Sequence, residues 1–471
     1  MLSKVSENTR IFLLLAAILL SRIPFLFAGY GSEEDAWGLI LTARNIAHTG
    51  VYEVSRMPGH PVQELLLSTC WNWSAPWLNF LTALAGVAGI GAFMTALRRM
   101  HIRNYLEAGA MLAFVPVITV NSTNVMDYVW ALSITLFSWL AVTHNRYFLA
   151  GILLGIACGF RVTAGAMGIP LAILLFSNMK SVKPVLVMGL TTIFTCLICF
   201  IPAFEVYGAS FFTYYEYFPY PPFLKNVYKA TFGAWGIGGM LVLTAGIAAC
   251  LYQLRKQPQL IKNNSVILLM ALSGLLLYSY SFIRIPQKAA FVIPIALFTV
   301  VAFAALLPQR PMRWLTVTML FSSFFAGINL NEPLRGSTPS SASVQTQIGN
   351  TPVSIDLLMG PAHADLSKRR NKIAYAEYVA SHIQTITSKT VVIAGWWQNE
   401  INYFLLNKTN PLVKLVYYAD EKELASFREK GYTIVYLPEQ DYYNDLRFSG
   451  SFTAQYAVPF SAEPVSPKIA P

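Results

Sequence analysis

The chain has 471 residues, 55% hydrophobic and only 12% charged, against about 25% charged in soluble domains; this excludes an ordinary soluble protein and implies a polytopic membrane protein. Its net charge is +11, yet from residue 330 onward 13 basic and 13 acidic side chains cancel, so the whole excess lies in the apolar part. That distribution suits positive inner loops and anionic lipid and leaves no case for a nucleic-acid partner.

The first apolar run, 11–27, is long enough to span a bilayer and has no small-x-small cleavage site, so it reads as a retained helix and not a cleaved signal peptide. Just past it stands Glu33-Glu34-Asp35; only ten Asp or Glu residues precede position 330, and three of them are here. The outer loop 29–75 predicts an interfacial amphipathic helix over 36–48, with Trp37, Leu39, Ile40, Ala43 and Ile46 on one side. Gly50 is its stop, and Arg56-Met-Pro-Gly-His-Pro61 is a turn.

Further spans are expected at 76–97, 105–121, 126–143, 147–160, 163–178, 183–203, 234–253, 265–283, 287–307 and 311–328. The total is about eleven if 147–178 is a hairpin around Arg161 and not one broken helix. With the N-terminus in the cytoplasm, the hairpin reading puts Arg98-Arg99, Lys180 with Lys183, Arg255-Lys256 and Arg310 with Arg313 inside, and is preferred for that reason. The acidic triplet, the aromatic loop 204–233 and the C-terminal part then share the outer face. The aromatic loop reads either as an interfacial belt or as a wall over a lipid or sugar substrate. Of the five cysteines, Cys70, Cys158, Cys196, Cys199 and Cys250, four lie within apolar runs, so Cys196-Leu-Ile-Cys199 is read as small apolar packing despite its CxxC spacing.

Residues 331–355, rich in Ser, Thr, Pro and Gly, predict a linker. It separates a membrane domain, 1–330, from an extracytoplasmic domain, 356–471. There helices at 372–387, 400–406 and 421–430 alternate with strands at 390–394, 412–418 and 433–437, which predicts a small parallel sheet. No GxGxxG or P-loop accompanies it. The end of the chain reads as irregular. Trp396 and Trp397, after a strand, read as packing residues, with sugar contact as the alternative.

The stretch Asp35-Ala-Trp-Gly-Leu-Ile-Leu-Thr-Ala-Arg44-Asn45-Ile-Ala-His-Thr-Gly50, followed by Pro58-Gly-His-Pro61, resembles the first outer loop of the GT-C membrane glycosyltransferases. The similarity is to the branch of protein O-mannosyltransferases and aminoarabinose transferases. Arg22, Asn121-Ser-Thr-Asn-Val-Met-Asp127, Gly151-Ile-Leu-Leu-Gly155-Ile-Ala-Cys-Gly-Phe-Arg161 and Arg284-Ile-Pro-Gln-Lys288-Ala-Ala-Phe-Val-Ile-Pro294 fit in order and spacing. The resemblance covers roughly residues 10–330 and leaves out the C-terminal domain. The family's catalytic Asp falls on Asp35, while the Glu that usually follows it becomes Ala36 and Glu33 and Glu34 precede instead.

The resemblance implies a GT-C-like helical membrane fold and transfer of a hexosyl or pentosyl group from a polyprenyl phosphate to a lipid, glycan or protein acceptor. The setting would be the outer face of a bacterial inner membrane. An attacking hydroxyl must lose a proton, which one carboxylate can take. The lipid phosphate leaves as an anion, which cations stabilise without a second acid. Asp35 is accordingly the expected base, and Asp127 an orienting acid. Arg56, His60, Arg161, Arg284 and Lys288 are the expected phosphate-binding set. Lys225 and Lys229 are expected to gate the lipid; Glu34 is a loop contact that, like Glu33, reads as a solvated neighbour. No cofactor is required; a divalent metal on Asp35 and Asp127 stays open. The rivals are a transporter or flippase of lipid-linked sugars, which would carry ionisable groups at mid-span, a polysaccharide polymerase or ligase, and a non-enzymatic scaffold.

Overall fold

The computed structural model describes residues 6–208, 220–330, 336–348, 351–437 and 458–459. The apolar runs become helices. α1 (Glu7–Arg22) is capped by the Ser6 side chain, which accepts from Thr9 N at 3.2 Å, and ends in a single 3-10 turn, Ile23–Phe25. α2 (Glu34–Thr49) and α3 (Pro61–Ser68) form the first long connection; α4 (Ala75–Arg99) returns across the bundle. α5 (Tyr105–Ala113) and α6 (Pro116–Asn121) share the expected 105–121 span, broken where Pro116 removes a donor and forces Val115 out of the helical region. The break frees carbonyls that others take up. Arg22, buried at the top of α1, donates to Ala113 O and lies 4.9 Å over the Phe114 ring; Ser323 Oγ donates to Phe114 O at 2.7 Å.

Next come α7 (Asp127–Thr143), α8 (Tyr147–Phe160), the 3-10 turn Val162–Met167, α9 (Gly168–Met179), α10 (Val182–Tyr207), α11 (Phe223–Ala230), α12 (Phe232–Lys256), α13 (Gln259–Asn263), α14 (Ser265–Arg284), the 3-10 turn Ala289–Val292, α15 (Ile293–Leu306) and α16 (Gln309–Ser322). Among the described residues, seven helical stretches are long and apolar enough to cross a membrane; α7 and α8 are apolar but shorter.

The seam between α8 and α10 settles the 147–178 alternative. A Cβ on Gly151 would meet Thr191, on Gly155 would meet Thr195, and on Gly159 would meet Cys199. Contacts that advance together along both helices mean that α8 and α10 run parallel. A return crossing must lie between them, and α9 is that crossing, so the segment is a hairpin turning at Arg161. The three glycines, four residues apart, let the two backbones approach closely, as small-residue stripes do in membranes.

Beyond α16 the chain forms β1 (Gly327–Leu330), β2 (Ser343–Ile348) and β3 (Thr351–Asp356), an antiparallel sheet in the order β1-β3-β2 with Gly327 and Ser343 both opposite Asp356. This corrects the expectation of a linker over 331–355: two strands lie inside it. Asp356 is the reason the turn holds, since its carboxylate accepts from Ser340 N and Oγ, Leu358 N and Met359 N. α17 (Pro361–Thr385), β4 (Thr390–Ile393), α18 (Gln398–Leu405), β5 (Val413–Val416), α19 (Glu421–Glu429), β6 (Thr433–Tyr436) and β7 (Val458–Pro459) complete the C-terminal α/β domain. Its sheet is parallel throughout, in the order β5-β4-β6-β7. Trp397 is buried with its ring centroid 4.6 Å from that of Tyr375, which is the packing role expected.

The C-terminal domain docks on the helical domain through α2. Trp37, 2% exposed, meets Tyr403 and Phe404 of α18, and Tyr403 Oη lies 2.9 Å from Tyr30 Oη. Each such aromatic side chain contributes about 1.5–3 kcal/mol by burial, so the two domains are held by more than the chain that joins them.

Candidate active site

Five separate loops bring charged groups to one end of the bundle. Glu33 stands at the N-cap of α2, with Glu34 and Asp35 in the first turn, where the positive end of the helix dipole favours acids. At the far end Gly50 adopts φ 70°, and its N–H closes on Ile46 O, a conformation that costs glycine nothing. The chain can then double back into the turn that carries Arg56 and His60.

Glu64 shapes that turn. It is fully buried on α3 and accepts from Ser55 N and Ser55 Oγ, both at 2.7 Å, from His60 N at 3.1 Å, and from Tyr52 Oη. Sequence reasoning left Glu64 out of the site. The available signal was an acid inside the apolar run Val62-Gln-Glu-Leu-Leu, which must be fully hydrogen-bonded if buried. Gln63 ties the same helix to Val125 O, just before α7.

Asp127 opens α7 and is 1% exposed. Arg161 Nη1 reaches it at 2.9 Å, Arg56 Nη2 pairs with its other oxygen, and His60 Nδ1 lies 3.5 Å away. Arg161 sits at the extended break between α8 and the following 3-10 turn, its guanidinium held between the rings of Tyr128 (4.6 Å) and Phe291 (4.5 Å). Arg56 also faces Asp35 at 3.6 Å. Lys288, from the α14–α15 connection, completes the row at 3.1 Å from Asp35 and 2.8 Å from Glu33. The row alternates in sign: Glu33, Lys288, Asp35, Arg56, Asp127, Arg161. Three carboxylates and three cations balance.

The titration of these groups follows from their neighbours. Burial alone would raise Asp35, but Lys288 and Arg56 outweigh it and hold the carboxyl down at about 2. Burial would lower Lys288 and Arg56; the facing carboxylates push both above their usual ranges, so both stay charged. Burial and the Arg56 charge lower His60, which is neutral at pH 7. Its Nδ1, 2.6 Å from Phe160 O, carries the proton and donates to that carbonyl. Glu34 behaves differently: burial first, then the adjacent Asp35 charge, raise it to about 7.

Expected site residues divide accordingly. Asp35, Asp127, Arg56, Arg161, Lys288 and His60 come together. Glu33 and Glu34 are not solvated neighbours: Glu33 accepts from Lys288 and from Tyr128 Oη at 3.3 Å, and Glu34 accepts from Tyr417 Oη of the C-terminal domain at 3.2 Å. Glu33 is drawn in by Lys288 and Tyr128 of the helical domain, Glu34 by Tyr417 and Asn399 of the C-terminal domain. Arg284 is exposed and outside the alternating row. Lys229 lies on α11 and donates to Pro286 O at 3.2 Å, two residues from Lys288; Lys225 lies one turn earlier on the same helix. Tyr220 Oη donates to Ile283 O at 3.0 Å, so the described end of the aromatic loop rests on the last turn of α14. Phe211, Phe212, Tyr214, Tyr215, Tyr217 and Phe218 lie outside the described residues.

Asp35 and Asp127, the candidates for holding a metal, each face Lys or Arg instead. Among the described residues no group of three or more His, Cys, Asp and Glu side chains is placed to hold a metal ion. Beside Arg161 and Tyr128 a narrow cavity enters the helical domain, with Leu132 and Thr135 on successive turns of α7 and Tyr278 and Leu297 opposite. Its charged end is Arg161; the rest of its lining is largely apolar.

No family model and no curated protein sequence matches the chain. Among solved structures, ArnT from Cupriavidus metallidurans bound to undecaprenyl phosphate superposes with a TM-score of 0.54 at 12% identity, covering 96% of this chain and 90% of that one. Its apo state gives a TM-score of 0.51 at the same identity and coverage. At this identity the likeness concerns the fold: the GT-C-like membrane fold expected from the sequence is the fold observed, and the chain is an integral membrane protein.

Proposed function

We propose that the protein is a GT-C-type glycosyltransferase. It moves a sugar from a polyprenyl phosphate to a hydroxyl of a lipid, glycan or protein acceptor at the outer face of a bacterial inner membrane. The N-terminus is then cytoplasmic and the α/β domain extracytoplasmic. One observation carries the reading: a charge-balanced row with Arg161 at the mouth of an apolar cavity, in a fold shared with a protein seen with undecaprenyl phosphate. The arrangement suits a ligand with an anionic head and an apolar tail.

The chemistry follows from the row. The acceptor oxygen attacks the anomeric carbon and its proton passes to Asp35. The bond from that carbon to the phosphate oxygen breaks, and the electron pair leaves with the lipid phosphate. Arg56, Arg161 and Lys288 face the charge that grows there, each between 18% and 30% exposed and so partly shielded from solvent. Held at about 2, Asp35 is a weak base before the donor arrives. A bound phosphate draws on the same Arg56 and Lys288, relaxes their hold and strengthens the base when it is needed. Asp127, enclosed by two arginines, keeps them aimed. No step requires a metal. A transporter would carry such groups at mid-span; here they gather at one end of the helices.

The test is cleavage of a labelled polyprenyl-phosphate sugar by purified protein in the presence of a cell-envelope extract. Wild type should release free polyprenyl phosphate with label appearing in an acceptor, and Asp35→Asn should lose about a thousandfold in rate while melting like wild type. Donor left intact by both proteins, or equal turnover by the variant, would overturn the reading or the base respectively.

A further inference from the structure

α17 packs against α6 of the bundle, and it buries two cations one turn apart. Arg369 and Lys372 are 1% and 3% exposed. Lys372 Nζ donates to Ser32 O at 3.0 Å and pairs with Glu400, itself fully buried, at 2.5 Å. Arg369 donates to Thr123 O at 2.8 Å and Thr123 Oγ1 at 3.1 Å, reaches Phe25 O at 3.4 Å, and pairs with Asp365 at 2.6 Å. Ser32 immediately precedes Glu33 and is three residues before Asp35. Thr123 is four residues before Asp127. The C-terminal domain therefore grips, by carbonyls, the two loops that deliver the two acids. Asn399 adds a third grip, donating to Glu34 O at 3.3 Å.

Burial of such cations is costly, and apolar side chains of similar volume could dock the two domains as well or better. What the cations add is direction: each bond fixes a particular carbonyl. We propose that Arg369 and Lys372 are positioning residues for the transfer reaction, setting Asp35 and Asp127 at their mutual distance and height. The inference rests on the reading given under Proposed function. Reacting groups displaced by about 1 Å lose about a hundredfold in rate, so the domain that the family resemblance leaves out is part of the catalytic apparatus.

The experiment compares full-length wild type with Lys372→Met/Glu400→Leu, which removes the buried charges together and leaves neither unpaired. Turnover, KM for the lipid donor, thermal midpoint and amide exchange over 30–37 and 122–128 are read in parallel. The expected result is an unchanged midpoint, a fall in kcat of about tenfold with KM within about threefold, and faster exchange in 30–37. A folded double variant with wild-type kcat, or with exchange unaltered, overturns the proposal. Should the double variant not fold, Thr123→Val decides: it removes one hydroxyl from Arg369, and kcat should fall about threefold at constant KM while Thr123→Ser retains the wild-type rate. Equal rates for Thr123→Val and Thr123→Ser overturn it. If wild type itself transfers nothing, the functional reading fails, and the exchange data alone still decide whether these residues hold the two loops.

Discussion

Two sets of ion pairs lie on the same side of the molecule and are built differently. The Lys372–Glu400 pair is closed, with side chains 4% and 0% exposed. The Glu33–Lys288–Asp35 group is half-open, at 22%, 30% and 18%. A closed pair cannot exchange partners without leaving a buried charge unpaired, so it fixes geometry. A half-open pair costs little to break, so a ligand can take over its cation. The difference separates the groups that hold the site from the groups that act in it, and Asp127, sealed beneath Arg56 and Arg161, belongs with the first kind although it sits in the row of the second.

That assignment is open to attack at several points. The largest expected effect is at Asp127: Asp127→Asn leaves two arginines, each 18% exposed, facing a neutral amide and should destabilise the fold by about 2–3 kcal/mol. Chemical or thermal melting would show it, and a variant as stable as wild type would move Asp127 into the half-open class. Lys288→Gln should do the reverse, changing stability by no more than about 1 kcal/mol while transfer falls about 10- to 100-fold; comparable losses of stability and rate would erase the distinction.

Smaller, and read through pH, is the effect at Glu34. Its neighbours are Asp35, Lys288, Glu400, Lys372 and Tyr417. Its carboxyl is raised from 4.5 to about 7 in the folded chain, so the folded state holds a proton that the unfolded chain has already released. The stability it contributes is full below pH 4.5 and falls as pH rises through 7. Glu34→Gln should therefore raise the thermal midpoint at pH 8 by about 2 °C and leave it unchanged at pH 4. The smallest effect is at Arg284: exposed and outside the row, Arg284→Gln should change transfer by less than about twofold, and a larger loss measured at saturating acceptor would return it to the phosphate-binding set.

Much of the site was legible because charge is scarce in a membrane domain. Asp35, Asp127, Arg161 and Lys288 each stand at the end of an apolar run, and loop-charge arithmetic put those ends on one face. The structure brings them within a single row. The parallel C-terminal sheet was legible too, since its strands and helices alternate in period. What stayed hidden depends on neighbours far along the chain. Nothing local marks Lys372 or Glu400 as buried, because a Lys and a Glu 28 residues apart look like ordinary surface charges until α17 and α18 are packed. Glu33 and Glu34 were misjudged for the same reason: Glu34 is held by Asn399 and Tyr417, more than 350 residues away, and Glu33 by Tyr128 and Lys288, 95 and 255 residues away. The 331–355 strands were missed because their Ser and Thr residues suit loops as well as an exposed sheet. The α5–α6 break was visible in Pro116 but was averaged away by hydropathy.

The glycine seam between α8 and α10 has one further consequence. Its pairs, Gly151–Thr191, Gly155–Thr195 and Gly159–Cys199, repeat every four residues, so the seam resembles a ruler with identical marks. Sliding one helix by a single mark would pair a glycine with a Thr or Cys again, at a displacement of about 6 Å along the axis. Small residues alone cannot tell the two alignments apart. The tie-break lies at the C-terminal ends of the two helices: Arg161 pins α8 to Asp127 at 2.9 Å, and Tyr207 pins α10 by accepting from Val54 N at 3.3 Å. The turn between Tyr52 and Glu64 thus serves as the zero of the scale, and the arginine that faces the proposed phosphate is also the residue that keeps its helix from slipping out of step.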